Sequence, residues 1–215
     1  VERIREEMWK LLKSPNPLLG LRLIQDLKLL QILFPELASL EPTFYWERTK
    51  KLFELMGNTK TDHEGVLFAL FLMHSFDTHQ KTFAAGEALI NRWKFSNQQK
   101  TEITGLVRAF WDLSLNPQPL SRKRRYLALF KNPLIFMLEK ASVLYPVDRL
   151  AKELKTLPIE LPKSLLTGED LKKMGIPPGA MMGQLLLQAM DLQLEGLIHT
   201  RKRALSWLKR QIPKK

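Results

Sequence analysis

Apolar residues recur at helical spacing along nearly the whole of this chain, and nowhere do they alternate as a strand requires. Leu, Lys, Glu, Gln and Met dominate while β-branched residues are scarce. The fold class that follows is all-α. The spacing predicts a first helix from about Glu2 to Lys13, with Ile4, Met8, Leu11 and Leu12 on one face. Ser14-Pro15-Asn16-Pro17 closes it, and proline suits the first turn of the next helix. That second helix, 18–29, leads into Phe34-Pro35-Glu36-Leu37, and Thr43 can cap a third that stops near Met56 at Gly57-Asn58. Two strongly apolar helices follow at 62–76 and 82–93. Ser96-Asn97-Gln98-Gln99 has capping-box spacing and opens another. Asn116-Pro117-Gln118-Pro119 breaks the chain before a helix begun by Ser121, and further helices fall at 133–143 and 146–154. Leu157-Pro158-Ile159-Glu160-Leu161-Pro162 is an extended linker, since residues before proline avoid the helical region. The remainder reads as a three-helix unit. No repeat of fixed period runs through the chain, which argues against a solenoid.

Composition removes several function classes. With 215 residues, 45% apolar and 26% charged, the chain can bury a core and has a globular profile. No apolar run approaches the ~20 residues of a membrane span, and no secretory signal opens the chain. It has no cysteine, so disulfide scaffolds, thiolate zinc sites and cysteine nucleophiles are all excluded. A cytoplasmic protein without a membrane partner is the expectation. Val1, where a gene would supply Met, points to a processed product or a piece of something longer.

Catalytic chemistry finds little to work with. His63, Glu64, His74, Asp77 and His79 lie close in sequence, but His63 and His74, 11 residues apart on a helix, stand ~16 Å from one another. One ion would not bridge them, and surface or capping histidines are the simpler reading. Neither glycine-rich phosphate loop occurs, and Glu6-Glu7 and Glu169-Asp170 fall at helix starts or exposed positions. The expectation is a chain with no catalytic residue, no metal and no cofactor of its own.

Charge gives the positive signal. Lys and Arg number 34 against 22 Asp and Glu, a net +12, a balance that favours nucleic acid or an anionic membrane. The excess grows along the chain, from +2 over 1–60 to +4 over 61–150 and +6 over 151–215. Two helix starts are basic, Arg122-Lys123-Arg124-Arg125 after Ser121 and Arg201-Lys202-Arg203 after Thr200. A helix N-terminus carries partial positive charge, so each cation there costs a few tenths of a kcal/mol, up to ~1. A phosphate at that end would reverse the sign, using free N–H groups and guanidinium forks together; otherwise the side chains simply splay into solvent. A third start, Pro177-Pro178-Gly179-Ala180, has no acid in its first turn. There Gly179 and Gly183 either let a phosphate approach closely or permit tight packing against a neighbouring helix. Trp9, Trp46, Trp93, Trp111 and Trp207 recur among other apolar residues and read as core, not as base-stacking platforms.

In this order the motifs resemble one family. Val1-Glu2-Arg3-Ile4-Arg5-Glu6-Glu7 with Lys10-Leu11-Leu12, Pro17-Leu18-Leu19-Gly20-Leu21 and Ile32-Leu33-Phe34-Pro35-Glu36-Leu37 resemble the neck of bacterial class II tRNA nucleotidyltransferases. These are the CCA-adding enzymes and their kin, the bacterial poly(A) polymerases. Leu166-Thr167-Gly168-Glu169-Asp170-Leu171, Gly175-Ile176-Pro177-Pro178-Gly179, Gly183, Glu195-Gly196, Thr200-Arg201 and Ala204-Leu205 resemble the tail of the same family. The middle is matched mainly by its helix pattern and by Leu120-Ser121 before the basic helix.

The resemblance implies the end of a neck over 1–60, a helical body over 61–156 and a tail over 157–215, arranged to hold the elbow and acceptor arm of tRNA. It implies a tRNA partner and a separate N-terminal catalytic head that binds Mg²⁺ and CTP or ATP. The family's Gly-Ser, Asp-x-Asp and Glu-Asp-x-x-Arg motifs do not occur here, so no catalytic residue carries over and the chain alone should be inactive. Phosphate contacts would come from Arg122, Lys123, Arg124, Arg125, Lys172, Lys173, Gly179, Arg201, Lys202 and Arg203. Two positions depart from the family: Gly179-Ala180 where relatives often have Gly-Pro, and Lys202-Arg203 where they often carry an acid. The compact tail leans towards CCA or partial-CCA addition over poly(A). The competing reading is a helical protein-interaction module without RNA binding, which would show an exposed apolar stripe.

Overall fold

The computed structural model describes residues 1–35, 42–56, 61, 64–73, 81–115 and 117–211. Twelve helices and no strand occur among them: α1 (Glu2–Lys13), α2 (Pro17–Asp26), α3 (Leu30–Leu33), α4 (Pro42–Met56), α5 (Glu64–Met73), α6 (Lys81–Arg92), α7 (Asn97–Leu115), α8 (Leu120–Ala141), α9 (Asp148–Thr156), α10 (Gly168–Lys173), α11 (Ala180–Leu194) and α12 (Arg201–Gln211). The all-α expectation holds. These helices form two compact units, one of Val1–Asn116 with Phe130–Lys155, the other of Pro117–Leu129 with Thr156–Lys215.

In the first unit α5 is the centre. Every residue from Val66 to Met73 is buried, which is how a helix apolar on all sides must lie. It packs against α1, α4 and α7. Around it the aromatic rings interlock: Phe34 lies 5.3 Å from both Phe71 and Trp93, and Trp9 lies 4.6 Å from Phe68. Trp46, Trp93 and Trp111 are buried, as read from their spacing.

Helix ends follow local chemistry. The Ser96–Gln99 capping box forms reciprocally: Gln99 N–H donates to Ser96 Oγ at 3.2 Å, and Ser96 N–H to Gln99 Oε1 at 3.0 Å. Sequence spacing carried the second helix to 29, but it stops at Asp26 and a separate α3 begins at Leu30. Lys28, at φ 54°, makes the left-handed turn between them, a conformation no lysine signals in advance. Inside α8, Lys131 leaves helical geometry (φ 48°, ψ −134°), two residues before Pro133, so the helix is two segments in series as the proline predicted.

The second unit closes on its own core of Leu166, Leu171, Ile176, Met182, Leu185, Ala189, Ile198, Ala204 and Leu208. Two Schellman turns shape it. Gly175 (φ 81°) and Gly196 (φ 74°) end α10 and α11, each donating to the carbonyl three residues back, Lys172 and Gln193. The following N–H of Ile176 and Leu197 reaches Leu171 and Leu192. The second of these turns fixes Glu195 as the last residue before the glycine, and that placement matters for the basic helix.

Candidate nucleic-acid interface

The basic start of α8 belongs to the unit that holds the C-terminal helices. Its first turn meets one face of α11. Leu187, Asp191 and Glu195 recur every four residues along that face, and Ser121 and Arg125 match them at the same spacing. Ser121 N–H donates to Glu195 Oε1 at 2.6 Å. Arg125 Nε donates to Asp191 Oδ1 at 2.7 Å and its Nη2 to the Leu187 carbonyl at 3.0 Å. Arg124 Nη2 donates to the Glu160 carbonyl at 3.1 Å. The anion at this helix start is therefore internal. Hydrogen bonds from the Ser121 backbone hold the Glu195 carboxyl below the ordinary glutamate range, against a smaller opposing effect of desolvation.

The start of α12 is tied differently. Asp170, a buried carboxylate, accepts from Thr167 N–H and from Thr167 Oγ1, both at 2.9 Å, and so caps α10. Its other oxygen accepts from the Arg201 guanidinium at the first residue of α12. The Thr167 backbone bond, then the Thr167 hydroxyl and the Arg201 charge, hold Asp170 below the usual aspartate range. Thr200 Oγ1 accepts from Arg203 N–H at 3.3 Å, a conventional N-cap. Lys172 pairs with Glu169 at 2.7 Å across one exposed turn. Lys173, Lys202 and Arg203 are exposed, and none of their side chains forms an ion pair among the described residues.

The sequence-predicted basic residues thus separate. Arg124, Arg125 and Arg201 make hydrogen bonds inside the unit, Lys172 is paired on the surface, and Arg122 is exposed beside a half-buried Lys123. Gly179 is exposed at φ 152°, and a Cβ there or at Gly183 would meet nothing within 4 Å. Among the described residues no helix packs over either glycine, so the tight-packing alternative finds no partner there. Sequence reasoning names Asp170 and Glu195 only as parts of the tail motifs and of a rejected acidic pair, and does not name Asp191; none is assigned a partner. The four-residue spacing within each of Ser121–Arg125 and Asp191–Glu195 is legible in the sequence, but only the fold pairs them. His63, His74, Asp77 and His79, with the Glu64 side chain, lie outside the described residues.

The first unit carries a contrasting surface. Leu19, Leu23 and Leu27 follow one another at four-residue spacing along α2 and its end, 58%, 50% and 64% exposed, and Ile32 of α3 is 71% exposed. No helix among the described residues is long and apolar enough to cross a membrane.

A helical chain with a basic C-terminal unit matches known proteins in the same sense. Residues 61–208 match the family model described as "tRNA nucleotidyltransferase domain 2 putative", and the chain belongs to that family. Residues 1–41 match a second model, "Probable RNA and SrmB-binding site of polymerase A". The chain is also 28% identical, over an alignment of 244 residues, to the CC-adding tRNA nucleotidyltransferase of Thermus thermophilus. The match covers 96% of this chain and 56% of that protein, so the chain spans little more than half the length of its relative. No solved structure matches it.

Proposed function

We propose that this chain is the RNA-holding part of a tRNA nucleotidyltransferase. The end of a neck (1–60), a body (61–156) and a tail (157–215) would grip the elbow and acceptor arm of tRNA while a separate N-terminal head adds CCA, CC or A to the 3′ end. The observation that carries the reading is the exposed Arg201-Lys202-Arg203 start of α12, which has no acidic residue in its first turn, in a chain of this family. Arg122, Lys123, Lys172, Lys173 and the open backbone at Gly179 add to the same cationic unit, as do Arg124 and Arg125 through whatever charge their internal hydrogen bonds leave available. Contacts of this kind go to phosphates and to the shape of the RNA and do not read sequence. Mg²⁺ and nucleotide would be held by the head. The chain alone should therefore bind tRNA without extending it.

The test is binding of the whole chain to a full tRNA and to a single-stranded RNA of equal length, at two salt concentrations. The reading expects preference for tRNA, weakened as salt rises because phosphate contacts release counterions. Equal weak binding to both RNAs would overturn it.

The exposed Leu19–Leu23–Leu27 stripe supports a second reading, a helical protein-interaction module without RNA binding. That reading expects no salt-sensitive tRNA complex, so the same titration separates the two.

A further inference from the structure

Resting on the phosphate-holding reading, we infer that Arg201 is a positioning residue: through the buried Asp170 it fixes the first turn of α12, so that Lys202 and Arg203 present their charges to RNA phosphates. Three observations converge on it. The Asp170 side chain is only 7% exposed, whereas that of Arg201 is 57% exposed, so the pair is a buried anion reached by one arm of a surface cation. A buried carboxylate needs its partners, because an unpaired charge out of water is costly. Asp170 already spends one oxygen on the Thr167 N–H and hydroxyl at the start of α10. Arg201 satisfies the other, and in doing so joins the start of α12 to the start of α10.

The chemistry at the neighbouring positions differs. Lys202 and Arg203 stand exposed at the same helix end with no carboxylate partner among the described residues. A phosphate approaching that end finds two uncommitted cations and one already bound to an internal anion. Only one arm of the Arg201 guanidinium is engaged, but Asp170 already balances its charge, so a phosphate gains less from Arg201 than from Lys202 or Arg203. The basic triplet is thus one anchor and two contacts.

A double-mutant cycle on tRNA affinity decides it, run on the whole chain with thermal unfolding measured in parallel. Arg201→Gln and Asp170→Asn each lower the melting temperature, whereas Lys202→Gln and Arg203→Gln leave it unchanged or raise it slightly. In the wild-type background Arg201→Gln weakens tRNA binding about fivefold; in the Lys202→Gln/Arg203→Gln background it has no further effect, because the groups it positions are gone. Arg201→Lys, which keeps a donor for Asp170, restores affinity, a rescue that general loss of stability would not give. Arg203→Gln lowers the slope of log affinity against log salt by about one. The assignment is overturned if Arg201→Gln costs the same factor in both backgrounds and lowers the salt slope by about one on its own, with the melting temperature unchanged. Failure of the wild-type chain to bind tRNA would instead bring down the phosphate reading, and this assignment with it.

Discussion

Glu195 Oε1 accepts a 2.6 Å hydrogen bond from the backbone N–H of Ser121, 74 residues earlier in the chain. A helix start with four basic residues in its first turns thereby obtains its negative charge from the end of another helix. Arg125 and Asp191 repeat the pairing one turn along. Replacing Glu195 with alanine removes a cap and leaves a half-buried N–H unmatched, at a cost of about 1–2 kcal/mol. Urea unfolding should show that loss, and Glu195→Gln, which keeps an acceptor oxygen, should recover more than half of it. Equal loss for Gln and Ala would mean that charge, not the hydrogen bond, supplies the stability.

Acid should act on the same contacts. Hydrogen bonds from Ser121 and Thr167 hold Glu195 and Asp170 below their ordinary pKa values. A depressed carboxylate stabilises the fold fully above its unfolded pKa, about 4, and loses that contribution as pH falls through the folded value. The melting temperature should therefore stay level from pH 7 to about 5 and drop below about 4.5. Asp170→Asn/Glu195→Gln should start lower at pH 7 and fall less steeply. A decline parallel to wild type would remove these two groups from the account.

Gly183→Ala and Gly179→Ala should move stability in opposite directions. Gly183 lies inside α11 with open space where a Cβ would project, so alanine gains helix propensity of about 0.5–1 kcal/mol. Gly179, at φ 152°, occupies backbone space that L side chains rarely enter, and alanine there is strained. Calorimetry of both variants checks the pair; destabilisation by Gly183→Ala would mean a neighbour packs there after all.

The aromatic core gives the largest expected single effect. Phe34 is 1% exposed and touches the rings of Phe71, Trp93 and Trp46. Phe34→Ala should cost about 3–5 kcal/mol in chemical denaturation. A loss under about 1 kcal/mol would show that these rings repack freely.

What the sequence revealed depended on how local each signal was. The Ser96–Gln99 box and the burial of Val66–Met73 are written within one helix turn or one apolar run, and each is read directly; Gly175 and Gly196, which end α10 and α11, enter the reading only as parts of the tail motifs. The turn at Lys28 could not, because a positive φ in lysine is imposed by surrounding packing and carries no residue signature; at Lys131, Pro133 marks the break but not the positive φ that makes it. The basic clusters were visible, but their partners were not. Asp191 and Glu195 meet Arg125 and Ser121 across some 70 residues of chain, and only folding shows which cation is already neutralised. Charge counting therefore located the cationic unit and overstated how many of its charges are available.

If this chain holds tRNA by its backbone at the elbow, hydroxyl-radical footprinting of a full tRNA bound to the intact chain will show where. Protection of sugars in the D- and T-loop region and along the acceptor stem, reduced by Lys202→Gln/Arg203→Gln, is the expected result. Uniform weak protection along the whole tRNA, or protection confined to its single-stranded 3′ end and untouched by those substitutions, would contradict the account.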